Sequence, residues 1–154
     1  MTPPPFQWFL DRHRDDVYRF LVAAVGRQEA DDCFQETFLS AMRAYPRLRA
    51  NSNTRAWVLK IAHRKALDAH RARGRRPLPL AEPPERAVDG EVSPDAELWI
   101  EVRKLPSKQR AAVALRYAGD LPHDEIGRVL GCSEEAARRN VHEGLKKLRL
   151  TWKT

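Results

Sequence analysis

Apolar residues recur along this chain at steps of three and four, the spacing that lays one stripe along a helix, and no run alternates at strand length. Leu10, Val17, Leu21, Ala24 and Val25 predict a first helix that ends near Gly26. Ala30, Phe34, Phe38, Ala41, Met42 and Tyr45 predict a second, closed by Pro46, which cannot continue a helix. Glu29, Asp31 and Asp32 fall in or near its first turn, where the helix dipole favours negative charge. A third opens at Asn51-Ser52-Asn53-Thr54, all suited to capping, and runs through Trp57, Ile61, Ala62 and Ala66.

A second series starts at Leu98, Trp99, Val102 and Leu105 and breaks at Pro106. Ser107 is expected to cap the next helix, which carries residues 111–117 and ends at Gly119. A short helix over Asp124–Leu130, the turn Gly131-Cys132-Ser133 and a last helix from Glu134 to about Leu150 complete the chain. Gly131 suits the left-handed position after a helix, and Ser133 suits the cap of the helix that follows. Gly127 is small where two helices have to approach closely. Ile126, Leu130, Ala137, Val141, Leu145 and Leu148 supply the buried face. Helix, three-residue turn and helix predict a helix-turn-helix.

Between the two series, residues 75–95 hold five Pro and one Gly without sustained helical periodicity. Pro removes a backbone donor and disfavours the helical conformation just before it, so an extended or flexible linker is expected. The predicted fold is therefore all-α: two small helical bundles joined by a flexible, Pro-rich, acidic linker. The expected domains are 1–75, a linker over 76–94, and 95–154, each bundle small for an independent core.

The 154 residues carry 28 Lys plus Arg against 21 Asp plus Glu, a net charge of +7. Of the 28, 21 are Arg, whose planar guanidinium pairs with phosphates, carboxylates and guanine edges. The distribution says more than the sum. Residues 1–46 net −2, residues 47–76 net +9, residues 77–101 net −6 and residues 102–154 net +6. Two basic blocks separated by an acidic one read as anion-binding surfaces with a linker repelled from them. In the first block Lys60, Arg64, Arg71 and Arg75 lie close to one helix stripe, interrupted by Asp68, the block's one acid.

No run approaches the ~18 apolar residues that span a bilayer, so no membrane insertion is expected. The opening MTPPPFQWFLDRHRD lacks a basic-then-apolar signal pattern, which with the isolated Cys33 and Cys132 points to the cytoplasm and to structural thiols. The five His form no metal or hydrolase motif, although His63 and His70 share a helix at i, i+7. A histidine on so basic a helix is expected to be solvated or to face phosphate. Neither an enzyme nor a cofactor is expected.

With these residues placed, both modules resemble bacterial RNA polymerase sigma factors of the extracytoplasmic-function (ECF) group. The carrying segments are HRDDVYRFL (13–21), ADDCFQETFLSAMRAY (30–45) and TRAWVLKIAHRKALDAHR (54–71), then LPSKQRAAVALRYAGDLPHDEIGRVLGCS (105–133) and VHEGLKKLR (141–149). The resemblance implies a protein that binds core RNA polymerase and promoter DNA, the first module recognising and opening the −10 element and the second reading the −35 element. Asp31, Asp32, Gln35 and Glu36 match the motif that contacts a coiled coil of the largest polymerase subunit. An acidic helix face with an amide that both donates and accepts suits a basic groove.

For the −10 element the resemblance implies a pocket around Asn51–Trp57, with Asn53 and Trp57 among its residues. Arg55, Lys60, Arg64, Lys65 and Arg71 are available to phosphates. Where many members read IAxN this chain reads IAHR, so His63-Arg64 stand at the place of the common Asn. For the −35 element the candidates are Ser133, Glu135, Arg138, Arg139, Asn140, His142 and Lys146. Arg138 leads because Arg to guanine is the commonest specific contact. Glu134, Glu135 and Glu143 stand where the family is neutral or basic, and oppose close approach to DNA unless Glu135 accepts from cytosine. An anti-sigma factor is the further partner implied. The competing reading is a sigma-like DNA-binding regulator or decoy that does not support initiation.

Overall fold

The computed structural model describes residues 4–49, 53–75 and 94–152. Among them are seven helices: α1 (Phe6–Val25), α2 (Arg27–Ala44), α3 (Thr54–Arg75), α4 (Pro94–Arg103), α5 (Ser107–Tyr117), α6 (His123–Leu130) and α7 (Glu134–Trp152), with one 3-10 turn over Tyr45–Arg47. No strand occurs among the described residues. Residues 76–93, most of the expected linker, and Asn51-Ser52 lie outside the described residues.

Gly26 alone joins α1 to α2. Its φ of 86° and ψ of 163° belong to a region essentially reserved for glycine. Its N–H donates to Val22 O at 2.9 Å while its carbonyl accepts from Ala30 at 3.0 Å, so one residue ends one helix and begins the next. Asn53 caps α3: its Oδ1 accepts from the Ala56 N–H at 3.0 Å. Ser107, expected as a cap, is instead the first residue of α5, and Pro106 holds the cap position without a side-chain hydrogen bond. The φ of Pro106, −52°, presets the turn into the helix, and Pro needs no N–H there.

α1, α2 and α3 pack pairwise into one bundle and α5, α6 and α7 into another, while α4 bridges α1, α5 and α7. In α1 the deeply buried residues are Phe9, His13, Val17, Phe20 and Leu21. Phe9, not Leu10, is the aromatic anchor: its ring meets His13, Tyr45 and Trp57 at centroid distances of 4.8, 5.2 and 5.5 Å. Met42, expected in the buried stripe of α2, is 50% exposed, whereas Phe38, Ala41 and Tyr45 of that stripe are buried.

The two bundles are not separate bodies. One apolar core runs from Val17, Leu21 and Leu59 into Leu115, Leu121 and Ile126. The cause lies in α5, where Ala111–Leu115 are all buried, so the helix is covered on every side. Val113 faces a smaller cluster with Val102, Leu105 and Leu148, while Ala112, Ala114 and Leu115 join the shared core.

Candidate nucleic-acid and partner interfaces

Along α2 the residues alternate in a way the helix period explains. Asp31, Asp32, Gln35 and Glu36 are exposed, while Cys33, Thr37 and Phe38 are buried. Three of the quartet divide between two grooves. Asp32 and Glu36 line a cleft of about 310 Å³ between α2 and α3, shared with Glu29, Cys33, Lys65, Asp68 and Arg73. Asp31 faces the other way, toward Tyr18, whose phenol pKa is raised by burial and then by the Asp31 carboxylate. Two residues extend the ridge beyond the expected motif: Leu39 and Met42, 49% and 50% exposed. They lie four and seven residues after Gln35, so polar surface gives way to apolar surface along one side of α2. Cys33 sits beneath the acids with its thiol 3.9 Å from the Lys65 carbonyl. Burial, and then the surrounding carboxylates, push its pKa up to about 11, so it stays a protonated structural thiol.

The basic residues of α3 separate by helical angle. Lys60, Arg64 and Arg71 are exposed on the face expected to meet DNA, Arg71 within 3.8 Å of Asp68. Lys65 turns into the acidic cleft instead. Asn53 is exposed but its side-chain oxygen is engaged in the cap, and Trp57 lies half-buried edge-on to Phe9. Arg55 is clasped by acids: Nε is 3.1 Å from Asp16 Oδ2 and Nη1 is 3.6 Å from Asp120 Oδ2. His63 is the clearest departure from expectation, being partly buried and not solvated. Burial foremost, then Arg64, Arg110 and His70, lower its pKa to about 4, so it is a neutral imidazole. His70 is tied down too, its Nε2 donating to Ala24 O at 3.1 Å. Sequence reasoning missed His13, which is buried in α1 with Nε2 2.9 Å from Thr54 Oγ1 and so supports the start of α3.

In the second bundle the turn between α6 and α7 is built as its residues require. Gly131 has φ 73° and ψ 36°, the left-handed C-terminal conformation, and the Cys132 N–H reaches back to Gly127 O at 2.9 Å. A Cβ on Gly127 would stand 2.7 Å from Cys132 O, so the close approach is against the turn itself. Ser133 Oγ accepts from the Ala136 N–H at 3.0 Å and caps α7. Glu134, Glu135, Arg138, Arg139 and His142 line one open groove, with Lys146 exposed a turn further on and Asn140 half-buried to the side. Arg138 Nη2 donates to Glu134 Oε1 at 3.1 Å. No group of three or more His, Cys, Asp or Glu that could hold a metal ion occurs among the described residues, and none of their helices is long and apolar enough to cross a membrane.

An exposed acidic and apolar ridge on α2, a cationic face on α3 and a helix-turn-helix with arginines on its second helix together mark an all-helical protein of the DNA-binding class. Residues 9–76 match Sigma-70 region 2 and residues 98–148 match Sigma-70 region 4. The ECF RNA polymerase sigma factor SigC of Mycobacterium tuberculosis is 32% identical over 139 residues, covering 86% of this chain and 75% of that protein. The RNA polymerase sigma factor CarQ of Myxococcus xanthus is 30% identical over 94% of this chain and 87% of its own length. The chain belongs to the ECF RNA polymerase sigma factors, a family of transcription initiation. Its fold matches the sigma factor RpoE of Bartonella quintana, solved with the anti-sigma factor NepR, at a TM-score of 0.83 and 19% identity, covering 97% of each chain. It also matches CnrH, solved with the cytosolic domain of CnrY, at 0.72 and 19%, covering 96% of this chain and 87% of that one.

Proposed function

We propose that this protein binds core RNA polymerase through the α2 ridge and directs it to promoters by reading a −10 element with α3 and a −35 element with α7. The observation that carries the reading is the division of labour by helical angle. Asp31, Asp32, Gln35 and Glu36 stand exposed on α2, and Lys60, Arg64 and Arg71 on a different face of α3. The first suits a basic, partly apolar groove; the second suits phosphates, each contact steepening the salt dependence of binding. Asn53 and Trp57 stand at the start of α3, where a base leaving the stack would be received, and opening the duplex costs a few kcal/mol per base that such capture offsets. In α7, Arg138, Arg139 and His142 reach base edges, with Glu135 offered to cytosine. The work is binding and melting, without covalent chemistry. One of the solved neighbours, RpoE, is held by the anti-sigma factor NepR, and an anti-sigma factor is the regulator proposed for this chain.

The test is transcription with purified bacterial core polymerase on a pooled library of genomic upstream DNA, with sequencing of transcript starts. Specific starts that depend on this protein are expected, and they give both promoter elements. Core binding without starts would instead favour a sigma-like decoy, a reading supported by the Glu134–Arg138 pair, which ties the leading base-reading arginine to an acid.

A further inference from the structure

The first turns of α1 carry a pair of side chains that stands apart from the packing. Trp8 belongs to neither apolar cluster and is 48% exposed. The Arg12 guanidinium carbon lies 5.3 Å from the centre of the Trp8 ring, so the cation stacks on the π-face and the two side chains hold each other in place. Arg12 is itself exposed, and the i, i+4 spacing puts both residues on one stripe of the helix.

Their neighbours fix where that stripe lies. Phe9, next to Trp8, meets the Trp57 ring edge-on at 5.5 Å, and His13, next to Arg12, has Nε2 2.9 Å from Thr54 Oγ1. Both anchors rest on the start of α3, where Asn53 and Trp57 are proposed to receive an unstacked base. One residue is about 100° of helical turn, so Trp8 and Arg12 stand at the rim of that contact. Arg55 stands at the same place: burial first, and then Arg12 and Arg55, lower the His13 pKa, so two guanidiniums flank one imidazole. Of the acids nearby, Asp16 is taken by Arg19 and Arg55, and Asp11 accepts from Gln7 Nε2 at 3.0 Å. Asp15 is exposed on the stripe and tempers its charge, which leaves stacking as the main contribution.

An exposed aromatic face beside a guanidinium is a pair suited to single-stranded nucleic acid: a base stacks on the ring and the cation neutralises the adjoining phosphate. A duplex offers no free base face, so such a ledge separates opened from paired DNA. Every base has a π-face, so the ledge does this without reading sequence.

Resting on the sigma reading, we infer that Trp8 and Arg12 form a second base-holding ledge, on α1. Trp8 stacks on one unpaired base of the opened strand, beside the base received at the start of α3, and Arg12 neutralises its phosphate. With two bases held at separate places, reclosing the duplex costs both contacts. The ledge stabilises the opened strand and leaves promoter preference to α3 and α7.

The experiment uses the full chain and its Trp8→Ala, Trp8→Phe and Arg12→Gln variants. Anisotropy with a fluorescein-labelled oligothymidylate, and with a random duplex of the same length, gives the two affinities. Trp8→Ala is expected to bind the single strand about tenfold more weakly, the loss of one stacked base, with duplex affinity unchanged. Trp8→Phe, which keeps a smaller ring, should recover part of that loss. Arg12→Gln should reduce the salt slope on the single strand by about 0.7, one phosphate contact fewer. Oligothymidylate should also quench more tryptophan emission in wild type than in Trp8→Phe. Equal single-strand affinity in wild type and Trp8→Ala, an equal loss on the duplex, or a wild type that binds no oligothymidylate overturns the ledge. Should Trp8→Ala fail to fold by circular dichroism, Trp8→Phe decides, and quenching equal to that of wild type overturns the ledge. Core-dependent transcription separates the two readings: its absence in every version sinks the sigma role, while the single-strand and duplex affinities judge the ledge independently.

Discussion

His63 gives the structure a measurable acid weakness. In the folded chain its pKa falls from 6.5 to about 4, by burial first and then by the cations Arg64 and Arg110 and the neighbouring His70. A histidine whose folded pKa is lowered binds fewer protons folded than unfolded. Its contribution is therefore complete above about pH 6.5 and is lost as pH falls toward 4. Proton linkage with those two values gives a loss of about 2 kcal/mol between pH 7.5 and pH 5. His63→Gln keeps a polar side chain of similar reach but cannot titrate. In urea denaturation followed by far-ultraviolet circular dichroism, wild type should lose about 2 kcal/mol more than H63Q between those pH values. Carboxylates, His13 and His70 titrate in both proteins and cancel in the comparison. Equal losses would refute the burial of a neutral His63.

Gly127→Ala should lower stability by about 1–2 kcal/mol in thermal melts: the clash with Cys132 O, a backbone atom 2.7 Å away, outweighs the gain in helix propensity. Gly74→Ala, with nothing within 4 Å of its Cβ, should be neutral or slightly stabilising in the same melts. The double charge reversal Asp32→Lys with Glu36→Lys should weaken binding to core polymerase at least tenfold, about 1.4 kcal/mol, on a biosensor surface, with the melting temperature unchanged. Arg138→Ala should cost about 1–3 kcal/mol of discrimination at one base pair of the −35 element, and Glu134→Gln, which frees Arg138, should tighten promoter binding in footprinting.

Helix boundaries and the helix-turn-helix were legible because they rest on local chemistry. Gly131 and Ser133 do what a left-handed glycine and a capping serine do in any chain, and the step from Asp32 to Gln35 and Glu36 places them together by geometry alone. Leu39 and Met42 were within reach of the same arithmetic, had an exposed apolar residue been weighed beside an acidic one. Tertiary facts were not legible. Nothing near His63 in the sequence announces that Arg110, 47 positions on, stands beside it. A run of small residues such as Ala111–Leu115 reads as one helix face until a second bundle is found covering the other. Asp120 looked like any loop acid, and only its left-handed backbone and its contact with Arg55 set it apart.

The single-residue joint at Gly26 makes the α2 surface a matter of phase. With no slack between α1 and α2, the angular position of every α2 side chain is counted from one fixed corner, at 100° per residue. Replacing a side chain on α2 alters one contact and leaves the rest in place. Adding or deleting one residue between Gly26 and Asp31 would instead rotate the whole acidic ridge by a quarter turn or more, an insertion turning Phe34 outward and Asp32 inward, a deletion turning Cys33 outward and Asp31 inward. Variation along this helix can therefore proceed by substitution while its length stays constant, and the proposed docking face is encoded as much in a residue count as in residue type.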